Sequence, residues 1–170
     1  WEKEKPESLE TSAKETDYTM SIKEHIQNDI SFEEDKTVQN GSSISFIMSL
    51  AGKKVLFLGD AYPSVLIASL TDLGFSKKNL LELDFVKLSH HGSMFNTNRE
   101  FLELIDCKKY IISTNGDKHA HPHKRLLARL INQHNDCELY FNYPEMIDKI
   151  FSEQDKNDFP NVKLLMSNNI

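Results

Sequence analysis

Leu83-Asp84-Phe85-Val86-Lys87-Leu88-Ser89-His90-His91-Gly92-Ser93 reads as a short buried strand that runs into two adjacent histidines, a glycine and a serine. Upstream, Val55-Leu56-Phe57-Leu58-Gly59-Asp60 has the same form and ends in a carboxylate. A continuous apolar run of this length suits a strand covered on both faces, as in a parallel sheet. A carboxylate and an imidazole at the tips of two neighbouring strands can make a metal site.

Working outward, Ile44, Phe46, Met48 and Leu50 alternate with serines, the period of a half-buried strand, and Ala51-Gly52-Lys53-Lys54 turns it back into the first apolar run. Pro63 suits the first position of a helix with apolar Leu66, Ile67, Leu70 and Leu73, stopped at Gly74. Thr97 and Glu100 have capping-box spacing, so a helix is expected from Asn98, burying Phe101, Leu102 and Ile105. Tyr110 to Ser113 is another apolar strand. It opens into Thr114-Asn115-Gly116-Asp117 and then His119, His121 and His123. Pro122 precedes a helix with Leu126, Leu127, Leu130 and Ile131. A strand at Leu139 to Phe141, a helix near Met146 to Phe151 and a last strand at Val162 to Met166 complete the series. Strands alternating with helices predict an α/β layered fold, and the chemical residues fall just after strand ends, where open α/β folds place their sites.

Residues 1–40 are polar, with Met20, Ile22 and Ile26 able to line one side of a short helix; they read as a linker or insert ahead of an ordered part at 41–170. The chain of 170 residues is long enough for one domain with a core. Its net charge of -6 argues against a broad nucleic-acid surface but leaves room for a local basic groove. No apolar run reaches the length of a membrane span and no secretory signal pattern opens the chain. Cys107 and Cys137 stand alone and read as reduced buried thiols of a cytoplasmic protein.

Each chemical candidate has a plainer alternative. Asp60 can bind or bridge metal ions, or it can cap the helix near Pro63. Side chains of adjacent residues at a strand end diverge, so one of His90 and His91 can ligate a metal while the other faces substrate; the alternative is a turn with two solvated rings. Gly92 permits close backbone approach, and Ser93 can donate to a phosphate or to a ligating group. His121 is the member of its trio that faces the site, His123 suits the start of a helix, and His119 stays open. Lys124, Arg125 and Arg129 read as a solvated helix face, with Lys124 and Arg125 available to steer a phosphate.

Together, Gly59-Asp60, the Asp84 to Ser93 segment with its His-His-Gly-Ser, and Ser113 to Pro122 with its Ser-Thr-Asn-Gly and His-Pro resemble the C-terminal half of a metallo-β-lactamase-fold hydrolase. The branch it looks most like holds the hydrolase domain of the DNA-uptake competence channels (ComEC) and the teichoic-acid phosphocholine esterases. The resemblance spans roughly 40 to 143. It implies an αββα sandwich of two similar halves with two divalent metals, zinc or manganese or iron, at the sandwich edge. It gives Asp60 the bridging-carboxylate role, His91 a terminal-ligand role, His90 a place beside the substrate phosphate as acid or charge stabiliser, and His121 a place at the rim; the two adjacent histidines are interchangeable on this reading. It implies attack of a metal-bound hydroxide on a phosphodiester of nucleic acid or a nucleotide.

The family's His-x-His-x-Asp-His signature is absent, and His25, the only histidine before Asp60, stands in neither of its motifs. The chain opens on Trp1 rather than methionine. Both features lead to the expectation of half a hydrolase, completed by an N-terminal half that covers an open apolar face. The competing readings are a non-catalytic or regulatory partner that keeps the fold, and a receiver-type or nucleotide-binding domain using Asp60; the chain has no glycine-rich phosphate loop for the last.

Overall fold

The structure is a computed structural model and describes residues 15–169. Two helices lead the described chain, α1 (Ile22–Asn28) and the single turn α2 (Val38–Gly41). Ser21 and Glu24 cap α1 reciprocally in a capping box. A hairpin follows, β1 (Phe46–Leu50) and β2 (Lys53–Phe57), and then helix α3 (Pro63–Asp72), which starts on Pro63 and ends before Gly74 at φ +88°. Short strands β3 (Leu81–Glu82) and β5 (Ile105–Asp106) pair beside the main sheet. Between them lie β4 (Phe85–Lys87), a 3₁₀ turn at Ser89–Gly92 and α4 (Arg99–Leu102). Then come β6 (Lys109–Ile112), α5 (Lys124–Gln133), β7 (Glu138–Phe141), α6 (Glu145–Ile150), α7 (Glu153–Asp158) and β8 (Lys163–Met166).

The main sheet has six strands in the order β1-β2-β4-β6-β7-β8, with β1 antiparallel and the rest parallel. This is the α/β alternation the sequence predicts. From β2 to β8 every return passes through helix and advances one strand in the same direction. Right-handed crossovers that never reverse put all their helices on one face of the sheet. Register shows the result. Leu56, Val86, Tyr110, Leu139 and Leu164 form one row, and it joins the core with Leu66, Leu70, Phe101, Leu126, Leu127 and Leu130 from the helices. The alternate row is Phe46, Phe57, Lys87, Ile111, Tyr140 and Leu165, and all but Tyr140 keep exposed surface.

Two readings of burial are thereby corrected. The apolar run Val55 to Leu58 is covered on one face only: Leu56 and Leu58 are buried, Val55 and Phe57 half-exposed. In β1, expected to be half-buried, all five residues are exposed, because no helix reaches this edge beyond β2.

The basic residues of α5 are also not a solvated face. Lys124 and Asp155 are buried together, each side chain 1% exposed, with Nζ 2.7 Å from Oδ2. Asp155 Oδ1 also accepts the Ile22 N–H at 2.7 Å. Asp29 accepts from Arg125 and Arg129 at 2.8 Å, and Arg129 is itself buried. The Asp17 carboxylate receives the first two N–H groups of α5, those of Lys124 and Arg125, at 2.8 and 2.9 Å. These contacts bind residues 17–29 along α5. The sequence gives this segment a linker's composition, but its acids complete the charges of a helix more than ninety residues away. The helix cap expected at Thr97 falls one residue later: Asn98 Oδ1 accepts from the Phe101 N–H at 2.9 Å. Cys107 and Cys137 are buried and free, and burial pushes their thiols up to about 11 and about 12. Among the described residues no helix is long and apolar enough to cross a membrane.

Candidate functional site

The end of β4 carries the quoted motif into a tight turn. His90 and His91 both take left-handed backbone, at φ 42° and 57°, and Gly92 follows at φ +92°. Such torsions are uncommon for side-chain-bearing residues and are held by surrounding contacts. The His90 N–H donates to the Gly59 carbonyl at 2.9 Å, tying the end of β4 to the end of β2 beside Asp60. The His123 N–H donates to the Gly92 carbonyl at 3.0 Å. A Cβ on Gly92 would lie 2.6 Å from Pro122 Cβ, so the absence of a side chain there lets the 119–123 loop close over the turn.

That closure brings the rings together, edge to face at His90–His121 and His121–His123. His121 lies 4.9 Å from His90 and 4.8 Å from His123, centroid to centroid, and His119 lies 5.9 Å from His121. His121 is 6% exposed, covered between its neighbours rather than open at a rim. Burial, reinforced by the surrounding histidines, pushes its imidazole down to about 3, so it is a neutral ring at physiological pH. His123 is also buried, and burial lowers it against the opposing pull of Asp17.

The hydrogen bonds assign tautomers. His91 Nδ1 lies 2.7 Å from the Ser113 carbonyl, which can only accept. Nδ1 therefore carries the proton and Nε2 is the lone pair. His123 is the reverse: its Nδ1 accepts from the Met94 N–H at 3.1 Å, so the neutral ring carries its proton on Nε2. His90 Nδ1 is 3.2 Å from Asn96 Oδ1, 3.2 Å from Asn40 Nδ2 and 3.5 Å from Asp35 Oδ2. An imidazole whose Nδ1–H is engaged inward presents Nε2 as a ligand or base.

The helix beginning at Pro63 has no side-chain cap, so the alternative role for Asp60 as an N-cap is unfilled. The Asp60 carbonyl accepts from Asn96 Nδ2 at 3.1 Å. Its carboxylate acts on Lys87, whose ammonium burial lowers and Asp60 raises. Ser93 is buried beneath the turn, and its Oγ accepts from the Phe95 N–H at 3.3 Å; it shapes the loop. His25 is remote from these residues in its bonding: its Nε2 is 2.8 Å from the Asp17 carbonyl. The fold thus brings His90, His121, His123 and the Asp60 backbone together, sets His91 against Ser113, and leaves His119 exposed at the margin.

Asp35, Asn40 and Asn96 were not among the residues singled out from sequence. Asn96 sits six residues after His90, in a loop with two asparagines and nothing to rank them. Asp35 lies in the polar N-terminal segment, and its bond to Asn96 spans 61 residues.

Among the described residues, no group of three or more His, Cys, Asp or Glu side chains is placed to hold a metal ion. The donor types suit zinc, manganese or iron, but their number does not make a site within these residues. A surface hollow of about 750 Å³, lined by Gln133, His134 and Asp136, lies at the other end of α5 and takes none of these groups. No protein-family model, curated protein or solved structure matches the chain.

Proposed function

We propose that this chain is the C-terminal half of a metal-dependent hydrolase of the metallo-β-lactamase fold, acting in the cytoplasm on a phosphodiester of nucleic acid or a nucleotide. The observation that carries the reading is the pair His90 and His91 at the end of β4, both with Nδ1 turned onto protein partners, next to Asp60 at the end of β2. A turn of two solvated histidines needs no such double commitment. Two ions on an edge completed by a second half would supply Lewis acidity and an activated water. Asp60 and His91 would be this chain's donors to those ions, and His90 would stand beside the phosphate as a proton carrier. The count of donors here is too small to act alone. The half-exposed apolar face of the sheet, Phe46, Phe57, Ile111 and Leu165, is the surface a second sheet would cover. Both buried thiols suit a reducing compartment.

Elemental analysis tests the reading on the protein purified together with its completing half. About two metals per complete protein are expected, lost together with hydrolysis of a bis-aryl phosphodiester in Asp60→Ala and His91→Ala. A complete protein without metal would favour the second reading, a non-catalytic partner that keeps the fold, which the lack of a His-x-His-x-Asp-His motif in this sequence supports.

A further inference from the structure

The surroundings of His90 determine its tautomer through a chain of contacts that begins on the backbone. The Asp60 carbonyl can only accept, so the Asn96 atom 3.1 Å away is the amide nitrogen. The same nitrogen donates to Asp35 Oδ2 at 3.2 Å. The other atom of the amide, Oδ1, therefore faces His90 Nδ1 at 3.2 Å and can only accept from it. The Asp35 carboxylate, with Oδ2 3.5 Å from the same nitrogen, adds a negative charge that favours a proton there. Asn40 Nδ2, also 3.2 Å from the ring nitrogen, gives one of its two N–H groups to Asp35 Oδ2 at 2.5 Å; the other is the donor that opposes Nδ1–H. One hydrogen-bond acceptor and an adjacent carboxylate, against a single donor, hold the proton on Nδ1.

Asp35 is itself fixed. Its Oδ1 accepts the Thr37 N–H at 2.9 Å and the Thr37 hydroxyl, and its own N–H donates to the Phe95 carbonyl at 3.1 Å. The segment that brings it there is bound to α5 through Asp17 and Asp29. Asn96 is fully buried. This is more order than a loop needs, and it converges on one ring nitrogen.

We infer that Asp35 and Asn96 are positioning residues that lock His90 with its proton on Nδ1 and its lone pair on Nε2. The inference deepens the hydrolase reading and rests on it for the use to which Nε2 is put. In a proton transfer, Nε2 takes the proton from the reacting group, Nδ1–H stays in place, and the Asp35 carboxylate faces the imidazolium that results. Release of the same proton from Nε2 restores the neutral ring.

The test is the ring ¹⁵N spectrum of the full chain in mildly alkaline buffer, with His90 identified by its loss in His90→Gln. His90 is expected to show a protonated Nδ1 and an unprotonated Nε2. Asn96→Leu removes that acceptor and should turn the majority form into Nε2–H, while Asn40→Leu, which removes the opposing donor and leaves the acceptor, should keep Nδ1–H. Asp35→Asn should keep the tautomer but speed exchange of the Nδ1 proton with water about tenfold, the effect of removing a carboxylate charge 3.5 Å from it. A native spectrum dominated by Nε2–H overturns the inference, whether or not the Asn96 variants fold. So does an unchanged tautomer in folded Asn96→Leu. None of these readouts uses metal or turnover. A locked Nδ1–H in a complete protein without metal or activity would therefore sink the hydrolase reading and leave the lock standing.

Discussion

The two faces of the main sheet are made by the same strands and differ in everything else. On one, Leu56, Val86, Tyr110 and Leu139 are buried in one core with side chains of α3, α4 and α5. On the other, Phe57, Lys87, Ile111 and Leu165 are half-exposed, Phe46 more so, and only near β7 does the face shield itself, where Lys109 lies 5.4 Å over Phe85 and Glu138 pairs with Lys163. One face is a finished core. The other has the apolar composition of a core and the exposure of a surface, and patches of that kind mark places where something docks. The difference follows from connection handedness: five strands laid down in one direction take all their helices to one side.

The largest effect expected in this comparison lies on the finished side and is ionic. Asp155→Ala leaves the Lys124 ammonium buried without its partner and the Ile22 N–H without its acceptor. The loss should be about 3–5 kcal/mol in denaturant unfolding, while replacing both members of the pair with apolar residues should recover much of it. A loss below about 1 kcal/mol would mean that water reaches this pair and that the clamp between α1 and α5 is looser than its geometry. Acid should act in the same place. Burial raises the Asp155 carboxyl, but Lys124, the Ile22 N–H and Ser152 outweigh it and hold the group below the usual range. Its contribution is then present above the unfolded value, near 3.9, and fades as pH falls through the folded value beneath it.

Next comes the direct contrast of the faces. Leu139→Ala should cost about 2–5 kcal/mol, the range for a fully enclosed leucine. Ile111→Ala, one register row away on the open face, should cost about 1 kcal/mol or less. Equal losses would show that the open face is already covered in solution by a second copy of the chain, and the Ile111→Ala loss would then depend on protein concentration.

Asp35 gives a smaller effect on the same scale, at the histidine end. Burial raises its carboxyl, but Asn40, Thr37 and Asn96 together hold it down to about 2. A folded value below the unfolded one means the stabilisation is complete above about 4 and is lost as pH falls from there toward 2; it should amount to ~2 kcal/mol. Comparing the acid limbs of native chain and Asp35→Asn measures it. The variant should lack that part of the decline, and identical limbs would remove Asp35 from the account of His90.

Much of this molecule is local enough to read in the chain. The strand runs ending at Asp60 and at His90, the helix started by Pro63 and the alternation that gives an α/β sheet all depend on neighbours within a few residues. What was not legible depends on distance in sequence. Lys124, Arg125 and Arg129 look like any solvated helix face until Asp155, Asp17 and Asp29 arrive from 31 to 108 residues away. Asn96 and Asp35 carry no pattern of their own; their roles exist only because a carbonyl at Asp60 orients one amide. The exposure of β1 was hidden for another reason. Apolar alternation records which side of a strand is meant to be covered and is silent on whether the covering element lies in the same stretch of chain.

Lys87 offers the finest test of the open face. It stands between Phe57 and Ile111 in the exposed row, with its ammonium donating to the Leu88 carbonyl at 3.1 Å. Burial lowers its pKa and Asp60 opposes the shift. A lysine whose folded value lies below its unfolded one works slightly against folding at neutral pH, and that opposition fades as pH rises through the folded value toward 10.4. Lys87→Met keeps the stem and removes the charge, so the stability of the chain should change by only about 0.5 kcal/mol. Solubility should change more, because the substitution makes the row from Phe46 to Leu165 continuously apolar except for the Tyr140 hydroxyl. Sedimentation velocity should therefore show the variant self-associating at concentrations where the native chain does not. If the variant stays as dispersed as the native chain, the row is already shielded by Lys109 and its neighbours, and the two faces differ less in what they offer a partner than in how they are built.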